Sequence, residues 1–373
     1  MRIVLSGGGT AGHINPALAV ADTLRQRGCE VLYAGTPTGV EARLVQQADI
    51  PFTGFEASGF DRSRPWTLPA SVAKLLASSR QAAAWFSEVK PDAVVCFGGY
   101  VCIPVGRAAC KRGVPLVVHE QNSVMGMANT YLARRAARVC LTYEHAAKGL
   151  ESLPEGVVSV TGNPVRASVF AATRAESREQ LGVAPDALLL LVTGGSLGAR
   201  HLNQAVIGMK DELLARSNVQ VIHVAGKRDF ERTRAELALT PDEARRWQVV
   251  DYTDRMGQCM AAADVIVSRA GASTLAEVSA RALPALLVPF PYATADHQTV
   301  NAQSCVDAGA AFMVPDDQVE GSVFRDQLCA LLDDASLRER MREAARAQKT
   351  QDAAGLVADA VMEAARENTR VCR

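Results

Sequence analysis

The amino-acid sequence predicts an α/β protein built from two Rossmann-like domains with parallel sheets. Two observations support this fold class. Short apolar strands alternate with longer helical patterns along most of the 373 residues, which is the rhythm of right-handed βαβ units. A glycine-rich loop follows the first strand of each half, at Gly7–Gly12 and at Gly194–Gly198. With 48% hydrophobic residues, the chain can fill the cores of two or three domains.

The predicted strands are short runs rich in branched or leucine side chains, and several are apolar on both faces, as buried parallel strands are. They are Arg2–Ser6, Glu30–Ala34, Ala93–Phe97, Pro115–His119, Val139–Thr142, Ala187–Thr193, Val219–Val224, Val265–Ser268 and Ala285–Val288. Between them, apolar residues at helical spacing predict helices at Asn15–Arg27, Thr274–Ala282 and Gln298–Ala308.

The strand–helix rhythm is interrupted once, around Thr161–Ser177, where a turn-forming and then polar stretch separates two strongly apolar regions. We therefore predict an N-terminal domain over residues 1–165 and a C-terminal domain over residues 166–344. The tail has apolar residues at helical spacing from Leu356 to Ala364. This spacing predicts a docking helix within residues 345–373, for which the first domain is one of the surfaces available.

Composition argues against several classes of protein. The formal net charge is zero, whereas non-specific binding to nucleic acid needs an excess of Lys and Arg. Nine cysteines, none in a Cys-x-x-Cys spacing, indicate the reduced thiols of a cytosolic protein rather than a zinc ribbon or a disulfide scaffold. We expect no signal peptide. The longest uncharged stretches, Ala93–Gly106 and Ala282–Ala295, contain Gly or Pro and are too short to span a bilayer.

The first glycine loop places backbone N–H groups between a strand and a helix, where an anion is favoured. Asn15 is a candidate cap of that helix, and Pro16 suits its first turn. Gly7, Gly9 and Gly12 also match the dinucleotide-binding pattern Gly-x-Gly-x-x-Gly. That match is weak because no acidic residue ends the second strand to hold a ribose. A nicotinamide-dependent oxidoreductase and a tight turn without a ligand remain alternatives.

Further polar segments follow other predicted strands. The second glycine loop adds the hydroxyl of Ser196 and leads into a helix through Asn203; a third loop is Gly98-Gly99-Tyr100, and a fourth is His119-Glu120-Gln121-Asn122. Ligands of doubly wound folds bind at the carboxyl ends of strands, so we expect these segments to face a ligand cleft. For the fourth segment, a solvated loop with Asn122 as a helix cap is the alternative.

Taken together, in this order and spacing, these motifs resemble the MurG family of glycosyltransferases. That family adds N-acetylglucosamine to lipid-linked muramyl-pentapeptide in bacterial peptidoglycan synthesis. The resemblance runs nearly end to end, over Gly8–His13, Gly98–Val101, His119–Asn122, Gly162–Arg166, Gly194–Arg200, Arg269–Glu277, Pro289–Pro291 and Asp296–Gln298.

The resemblance implies the GT-B fold, in which an N-terminal acceptor domain and a C-terminal UDP-sugar domain face each other across a cleft. It implies inverting transfer from UDP-N-acetylglucosamine to the 4-hydroxyl of the lipid-linked muramyl sugar by a peripheral protein at the cytoplasmic face of the membrane. It implies no metal cofactor, and the sequence contains no Asp-x-Asp motif. A UDP-sugar 2-epimerase of the same fold and a non-enzymatic nucleotide-binding module remain alternatives.

Substrate-binding roles follow from the same resemblance. Ser196 and Arg166 would contact the donor diphosphate, Thr253 the uracil, Glu277 the ribose hydroxyls and Gln298 the transferred sugar. Because Glu277 is predicted in the first turn of its helix, a purely structural role on the helix dipole is the alternative. The other positions that the resemblance assigns to substrate binding are Thr10, Ala11, Gly12, Asn122, Asn203, Ala272, Ser273, Thr274, Leu275, Ala276 and His297.

Two of these residues depart from the family pattern. Ala11 stands where many members have glycine, so its backbone must avoid a positive φ angle. His297 stands where some members have glutamine, which adds a titratable group to the site.

An inverting transfer needs a base near the acceptor hydroxyl and stabilisation of the leaving UDP. His13 is the first candidate base, because its loop follows a strand and a neutral imidazole is available near pH 7. Glu120 is the second candidate, and Tyr100 or Asn122 would orient the acceptor. Alternatively, His13 only shapes its loop or contacts phosphate.

A lipid-linked acceptor requires contact with a membrane surface. The segment Phe60–Trp66 leads into an apolar stretch with Leu68, Val72, Leu75 and Leu76, and the basic residues Lys74 and Arg80 lie nearby. Such a combination suits an anionic leaflet. The alternative is an ordinary amphipathic helix that packs on the sheet.

Overall fold

The computed structural model describes residues 1–57, 68–195, 198–347 and 352–371. The chain divides into two compact units: Met1–Arg166 together with Thr350–Arg373, and Ala167–Lys349. Each unit is built around one sheet in which all neighbouring strands are parallel. The predicted α/β class with two parallel sheets is therefore confirmed.

The first unit contains a seven-stranded sheet. Its strands are β1 (Arg2–Ser6), β2 (Glu30–Gly35), β3 (Phe52–Gly54), β4 (Ala93–Cys96), β5 (Leu116–Glu120), β6 (Arg138–Leu141) and β7 (Val158–Val160). They lie side by side in the order β3-β2-β1-β4-β5-β6-β7. The helices are α1 (Ala11–Gln26), α2 (Val40–Gln46), α3 (Leu68–Val89), α4 (Cys102–Arg112), α5 (Met127–Ala133) and, at the end of the chain, α16 (Ala353–Val371).

The second unit contains a six-stranded sheet. Its strands are β8 (Leu188–Thr193), β9 (Val219–Val224), β10 (Trp247–Val250), β11 (Val265–Ser268), β12 (Ala285–Leu287) and β13 (Ala311–Met313), in the order β10-β9-β8-β11-β12-β13. The helices are α6 (Ala167–Ala171), α7 (Arg174–Leu181), α8 (Arg200–Ile207), α9 (Lys210–Ala215), α10 (Phe230–Leu237), α11 (Met256–Ala262), α12 (Ala272–Ala280), α13 (His297–Asp307), α14 (Ser322–Asp333) and α15 (Ala335–Ala347). A 3₁₀ turn at Asp316–Gln318 follows β13.

Every predicted strand is present, with ends that differ by no more than a residue or two. The strands β3, β7, β10 and β13 were not predicted, and all of them lie at the edges of the two sheets. Edge strands are short and more exposed than central strands, as the Val158–Val160 strand shows. They therefore lack the doubly apolar pattern by which the central strands were recognised.

Helices α1 and α12 begin two or more residues earlier than predicted, which moves several site residues. Helix α1 begins at Ala11, after an extended Thr10, so the prediction that Asn15 caps it is wrong. Pro16 lies inside the helix, in its second turn. Helix α12 begins at Ala272 rather than Thr274. In both cases the helix starts directly after a glycine-containing turn, because no residue between the turn and the predicted start prevents helical geometry.

Both sheets reverse their strand order at one point, and the glycine loops lie there. In the first unit β1 pairs with both β2 and β4, with Ser6 opposite Cys96. In the second unit β8 pairs with both β9 and β11, with Thr193 opposite Ser268. Such switch points leave a crevice at the carboxyl ends of the strands, where ligands of doubly wound folds bind.

The helices of the first unit form two layers around its sheet. Helices α3, α4 and α5 share one core, represented by Ala82, Val105 and Leu132. Helices α1 and α16 share the other, where Val361 packs with Leu18. No helix within the described residues is long and apolar enough to cross a membrane.

Candidate active site

The loops that follow β1 and β4 lie against each other. The N–H of Gly8 donates to the carbonyl of Gly98 at 3.2 Å. Gly99 has φ +86°, and a Cβ there would lie 2.4 Å from the Gly8 oxygen. Only glycine permits both this φ angle and this approach. The two loops therefore form one surface at the switch point of the first sheet.

Helix α1 begins on that surface. Thr10 precedes the helix with φ −143° and ψ 153°, and both Thr10 and Ala11 are exposed. Ala11 is not among the residues with positive φ. The alanine in place of glycine is therefore compatible with the path of the loop, because the residue is the first of a helix. Thr10, Ala11 and Gly12 occupy the accessible N-terminus of α1.

His13 lies in the first turn of α1, with its half-buried ring beside the Gly98 loop. Its Nδ1 lies 2.8 Å from the carbonyl oxygen of Gly8 and 3.3 Å from Oγ1 of Thr10. A carbonyl oxygen can only accept, so Nδ1 carries the proton. In the neutral ring, Nε2 then holds the lone pair.

The predicted polar cluster His119–Asn122 does not present its side chains as expected. His119, Glu120 and Gln121 are all buried. His119 Nε2 lies 3.1 Å from the Gly162 oxygen, and Gln121 donates to His119 Nδ1 at 3.0 Å. Burial lowers the pKa of His119 to about 4. Both interpretations, a cluster facing a cleft and a solvated loop, are wrong for these residues, because strand β5 continues into the interior through Glu120.

Glu120 organises the loop that follows it. Its Oε1 accepts the backbone N–H and the side-chain amide of Asn122 at 3.0 and 3.1 Å. Its Oε2 accepts the N–H of Gly126 at 3.0 Å and the amide of Asn129 at 2.8 Å. These four bonds use about all the lone pairs that a carboxylate has. Helix α5 begins only at Met127, so Asn122 is not its cap. Tyr100, by contrast, is 45% exposed.

The segment at the end of the first unit holds unsatisfied polar atoms. Both polar atoms of the Asn163 side chain, and Nε of Arg166, are buried without a hydrogen-bond partner among the described residues. Such atoms are costly to leave unpaired. A ligand that accepts and donates hydrogen bonds could satisfy them.

The second glycine loop closes tightly between β8 and α8. A Cβ on Gly194 would lie 2.3 Å from the Ala199 side chain, and Gly198 has φ +90° with its N–H on the Gly195 carbonyl at 3.1 Å. Ser196 lies outside the described residues. The predicted substrate contact of Asn203 is not supported, because its side chain is buried: it donates to the Ala225 oxygen at 3.0 Å and lies 2.9 Å from His223 Nε2.

Helix α12 presents its N-terminus at the same switch point. Gly271 is extended, and its carbonyl accepts the Leu275 N–H at 3.0 Å. Ala272 and Leu275 are buried in the core, so these two residues can offer a ligand only their backbone. Ser273, Thr274 and Ala276 are partly exposed. Glu277 is half-buried in the second turn, which makes the prediction of a first-turn position wrong.

Gln298 connects the loops that follow β11 and β12. Its Oε1 accepts the N–H groups of Ala270 at 3.2 Å and Phe290 at 3.0 Å. This fixes the orientation of the side-chain amide, so its NH₂ group is the part turned away from the backbone and able to donate. His297 precedes it, with Nδ1 2.7 Å from the Thr294 oxygen. Thr253 follows β10, where its Oγ1 accepts the Arg255 N–H at 3.0 Å.

Sequence reasoning missed an ionic cluster at this edge of the second sheet. The buried carboxylate of Asp316 lies 2.5 Å from Nη1 of Arg269 and 2.7 Å from Nδ1 of His201. Arg269 also donates to the carbonyls of Val288 and Pro289. Of the three residues in this cluster, only Arg269 could have been recognised from the sequence, because it directly follows a predicted strand. The cluster holds together the loops after β11, β12 and β13 and the start of α8.

Both units of the chain match models of one glycosyltransferase family. Residues 3–141 match the model of the glycosyltransferase family 28 N-terminal domain, and residues 189–357 match that of its C-terminal domain. A pair of doubly wound parallel units with these two matches defines a GT-B glycosyltransferase.

Curated relatives make the assignment narrower. The UDP-N-acetylglucosamine–N-acetylmuramyl-(pentapeptide) pyrophosphoryl-undecaprenol N-acetylglucosamine transferase of Bacillus subtilis is 36% identical over 95% of this chain and 97% of its own. The protein of the same name from Leuconostoc mesenteroides is 38% identical over 97% of this chain and 100% of its own. The chain therefore belongs to this family of N-acetylglucosaminyltransferases.

Solved structures agree with this assignment. The Acinetobacter baumannii MurG structure superposes with a TM-score of 0.75 at 32% identity, over 97% of this chain and 99% of that one. A UDP-GlcNAc 2-epimerase from Neisseria meningitidis has a TM-score of 0.67 at 12% identity, over 97% of this chain and 100% of its own. At that identity the epimerase shares only the fold.

Proposed function

We propose that this protein transfers N-acetylglucosamine from UDP-N-acetylglucosamine to the 4-hydroxyl of a lipid-linked N-acetylmuramyl-pentapeptide, with inversion at the anomeric carbon. The main support is the 35–38% sequence identity, over 93–97% of the chain, with curated relatives named for this transfer. The second support is chemical, because the first unit offers an imidazole whose tautomer suits the base that the reaction needs.

His13 is our candidate for that base. Its Nδ1–H is held by the Gly8 carbonyl, so the lone pair of Nε2 can accept the proton of an acceptor hydroxyl. The geometry disfavours Glu120, because its carboxylate oxygens already accept four hydrogen bonds. Tyr100 remains the candidate for orienting the acceptor.

The donor would be bound mainly by the second unit. Backbone N–H groups at the N-termini of α8 and α12 favour the negative charge of a diphosphate and of the leaving UDP. Arg166 and Ser196 are our further candidates for the diphosphate, and Glu277 is the candidate for the ribose. The NH₂ group of Gln298 would donate to a hydroxyl or carbonyl oxygen of the transferred sugar, since its Oε1 is already used.

One assay tests the activity. The protein is incubated with labelled UDP-N-acetylglucosamine, with and without a muramyl-pentapeptide lipid analogue. We expect label in the lipid product only when the acceptor is present. Release of UDP and free sugar without an acceptor would instead identify an epimerase-like reaction. If neither product forms, the transfer activity and the epimerase-like activity are both contradicted.

We also propose that the first unit docks on an anionic membrane at the cytoplasmic face, as its acceptor requires. Val72 and Leu76 on α3 are 45% and 42% exposed, one helical turn apart, and Arg80 is exposed one turn further on. Lys74 is also exposed, but on another face of the helix, where it pairs with Glu56. Trp66 and the segment before it lie outside the described residues.

The same helical layer carries a second apolar and basic surface. An open cavity of about 640 Å³ is lined by Met125, Met127, Thr130, Tyr131, Arg134 and Arg135. Because α3 packs on α4 and α4 on α5, both surfaces belong to one side of the first sheet. Apolar side chains rimmed by Arg and Lys suit insertion into an anionic leaflet.

Co-sedimentation with anionic vesicles tests this surface. Val72→Ser combined with Leu76→Ser should lower the bound fraction several-fold, because about 0.8 kcal/mol is lost for each CH₂ group withdrawn from the bilayer. Val323→Ser is the matched control, since Val323 is 48% exposed on the second unit. Equal binding of both variants and the unmodified protein would overturn the proposal.

A further inference from the structure

A buried carboxylate lies beneath the first glycine loop, and no motif pointed to it. Glu41, on α2, has a relative exposure of 0%. Its Oε1 accepts the backbone N–H of Thr36 at 3.0 Å and also the Thr36 hydroxyl. Its Oε2 accepts the N–H of Gly9 at 3.3 Å. These three donors are neutral groups, two on Thr36 directly after β2 and one on Gly9 in the glycine loop, so the negative charge is held by hydrogen bonds alone.

Glycines make room for this carboxylate. A Cβ on Gly8 would lie 2.4 Å from its Oε1, and one on Gly39 would lie 2.3 Å from its Cδ. A Cβ on Gly35 would lie 2.8 Å from its Cγ. Larger residues at these positions would displace the side chain. The loop and the carboxylate therefore form one packed arrangement.

A single peptide group connects Glu41 to the proposed base. The N–H that Glu41 accepts belongs to Gly9, and the carbonyl that holds Nδ1 of His13, at 2.8 Å, belongs to Gly8. These are the two ends of one planar trans peptide. A hydrogen bond on one end of such a group polarises the other, so the carboxylate strengthens the carbonyl as an acceptor.

We propose that Glu41 is a positioning residue for the transfer reaction and acts on His13 through the Gly8–Gly9 peptide. In the reaction, the acceptor O–H gives its proton to Nε2 while its oxygen bonds to the anomeric carbon. The bond from that carbon to UDP breaks, and UDP leaves with the electron pair. The carboxylate, through the peptide, holds the productive tautomer and stabilises the imidazolium that forms. This role rests on His13 being the base, as proposed above.

Other titratable groups lie on elements packed around the imidazole: Tyr33 on β2, Tyr100 after β4, Cys102 on α4 and Glu120 on β5. Tyr33 and Cys102 donate to carbonyls of the loops, and Glu120 holds the loop after β5. Glu41 is the acid linked to the ring by the path of hydrogen bonds described above.

Glu41→Gln tests the proposal, because it keeps the size of the side chain and removes its charge. We expect kcat/KM to fall on the order of tenfold, since a less stabilised imidazolium means a weaker base. The acid limb of the kcat/KM–pH profile should move to lower pH by roughly 0.5–1 unit, because the protonated ring then gives up its proton more readily. The KM for UDP-N-acetylglucosamine should stay within about twofold.

Thr36→Val is the matched control, since it removes a donor to the same carboxylate but keeps the charge. Its acid limb should stay in place or move slightly to higher pH. If E41Q does not fold, Glu41→Asp carries the same expectation, because it shortens the reach to Gly9. An acid limb that stays in place in a folded E41Q or E41D enzyme overturns the proposal, whatever happens to the rate.

His13→Ala separates this proposal from the one on which it rests. If H13A keeps the unmodified kcat, His13 is not the base and both proposals fail. If H13A loses roughly 10²–10⁴-fold in kcat while E41Q leaves the acid limb unmoved, only the role of Glu41 fails. In the H13A background, E41Q should cause little further loss, as expected of two residues acting as one unit.

Discussion

His13, His119 and His223 all have side chains held by hydrogen bonds, but they differ in their surroundings. His119 and His223 are fully buried, and burial lowers their pKa to about 4 and about 3. Both are therefore neutral near pH 7. His13 is half-buried at the surface of the glycine loops. Of the three, only His13 is placed to exchange a proton with a substrate.

The two buried histidines should make the protein less stable in mild acid. A histidine whose folded pKa lies below its unfolded value of about 6.5 contributes stability that is lost as pH falls from that value toward the folded pKa. Between pH 7 and pH 5, each of them should cost about 2 kcal/mol. Thermal unfolding followed over this range should show a falling midpoint.

His223→Gln is the variant that isolates one of these contributions. Glutamine can still donate to Asn203 but does not titrate, so the fall in midpoint between pH 7 and pH 5 should become smaller. A fall that matches the unmodified protein would show that His223 is protonated in the folded state.

At the residue scale, the sequence indicates which residues lie near the site, but it does not indicate what their side chains contact. His13 was found because a strand and a glycine loop precede it. Glu120 is the last residue of β5, but its partners Gly126 and Asn129 come from the start of helix α5, which folds back on it. Glu41 carries no motif, and its role depends on a loop more than thirty residues away. Contacts of this kind are set by the tertiary fold and leave no local pattern.

At the scale of elements, a cluster of arginines around Asp264 joins the outer helices to the second sheet. Asp264 Oδ2 accepts from Nη2 of Arg178 at 2.7 Å and from the Leu189 N–H at 2.9 Å. Its Oδ1 accepts from Nη2 of Arg174 at 2.7 Å. Arg178 also donates to the carbonyl of Ala187, just before β8. The cluster thus ties α7 to the beginnings of β8 and β11.

Asp264→Asn should destabilise the second unit by roughly 3 kcal/mol, because it leaves the buried Arg178 without its counter-charge. Asp333→Asn is the matched control. Asp333 also binds an arginine at 2.7 Å, but its side chain is 57% exposed, so the loss there should be about 0–1 kcal/mol. Urea unfolding of both variants measures the difference. Similar losses in the two would show that the Asp264 cluster is effectively solvated.

Some strands and helix ends are determined by their own sequence, and others by the elements beside them. Central strands such as Leu188–Thr193 are buried on every residue and could be recognised from their composition alone. The edge strand Val158–Val160 is mostly exposed, and it is a strand only because β6 lies beside it. Helix starts such as Ala11 depend in the same way on the turn that precedes them.

At the scale of the whole molecule, the end of the chain belongs to the unit that contains its beginning. Val357, Val361 and Ala364 of α16 are at most 2% exposed and share a core with Ile3 and Leu18. Helical spacing in the tail indicated an amphipathic helix, but spacing alone does not say which surface the helix covers. The helix packs where it does because α1 leaves part of the apolar face of the first sheet uncovered.

Because α16 packs in the first unit, we expect a substitution that destabilises α16 to destabilise the N-terminal part of the chain as well. Val361→Asp would bury a charge in the core of the first unit, which should cost several kcal/mol. Hydrogen exchange should then show loss of protection in α1, which packs against α16. Peptides from β8 and α8 should keep their protection, because the second unit has separate cores.

Asp359→Ala is the control on the same helix. It removes only the exposed ion pair with Arg27, worth about 0–1 kcal/mol, and should leave exchange in α1 nearly unchanged. Equal loss of protection in both units after Val361→Asp would contradict the expectation, because it would mean that the chain unfolds as one cooperative body. Protection lost from the first unit alone would show that the tail stabilises that unit's sheet and, with it, the loop that carries His13.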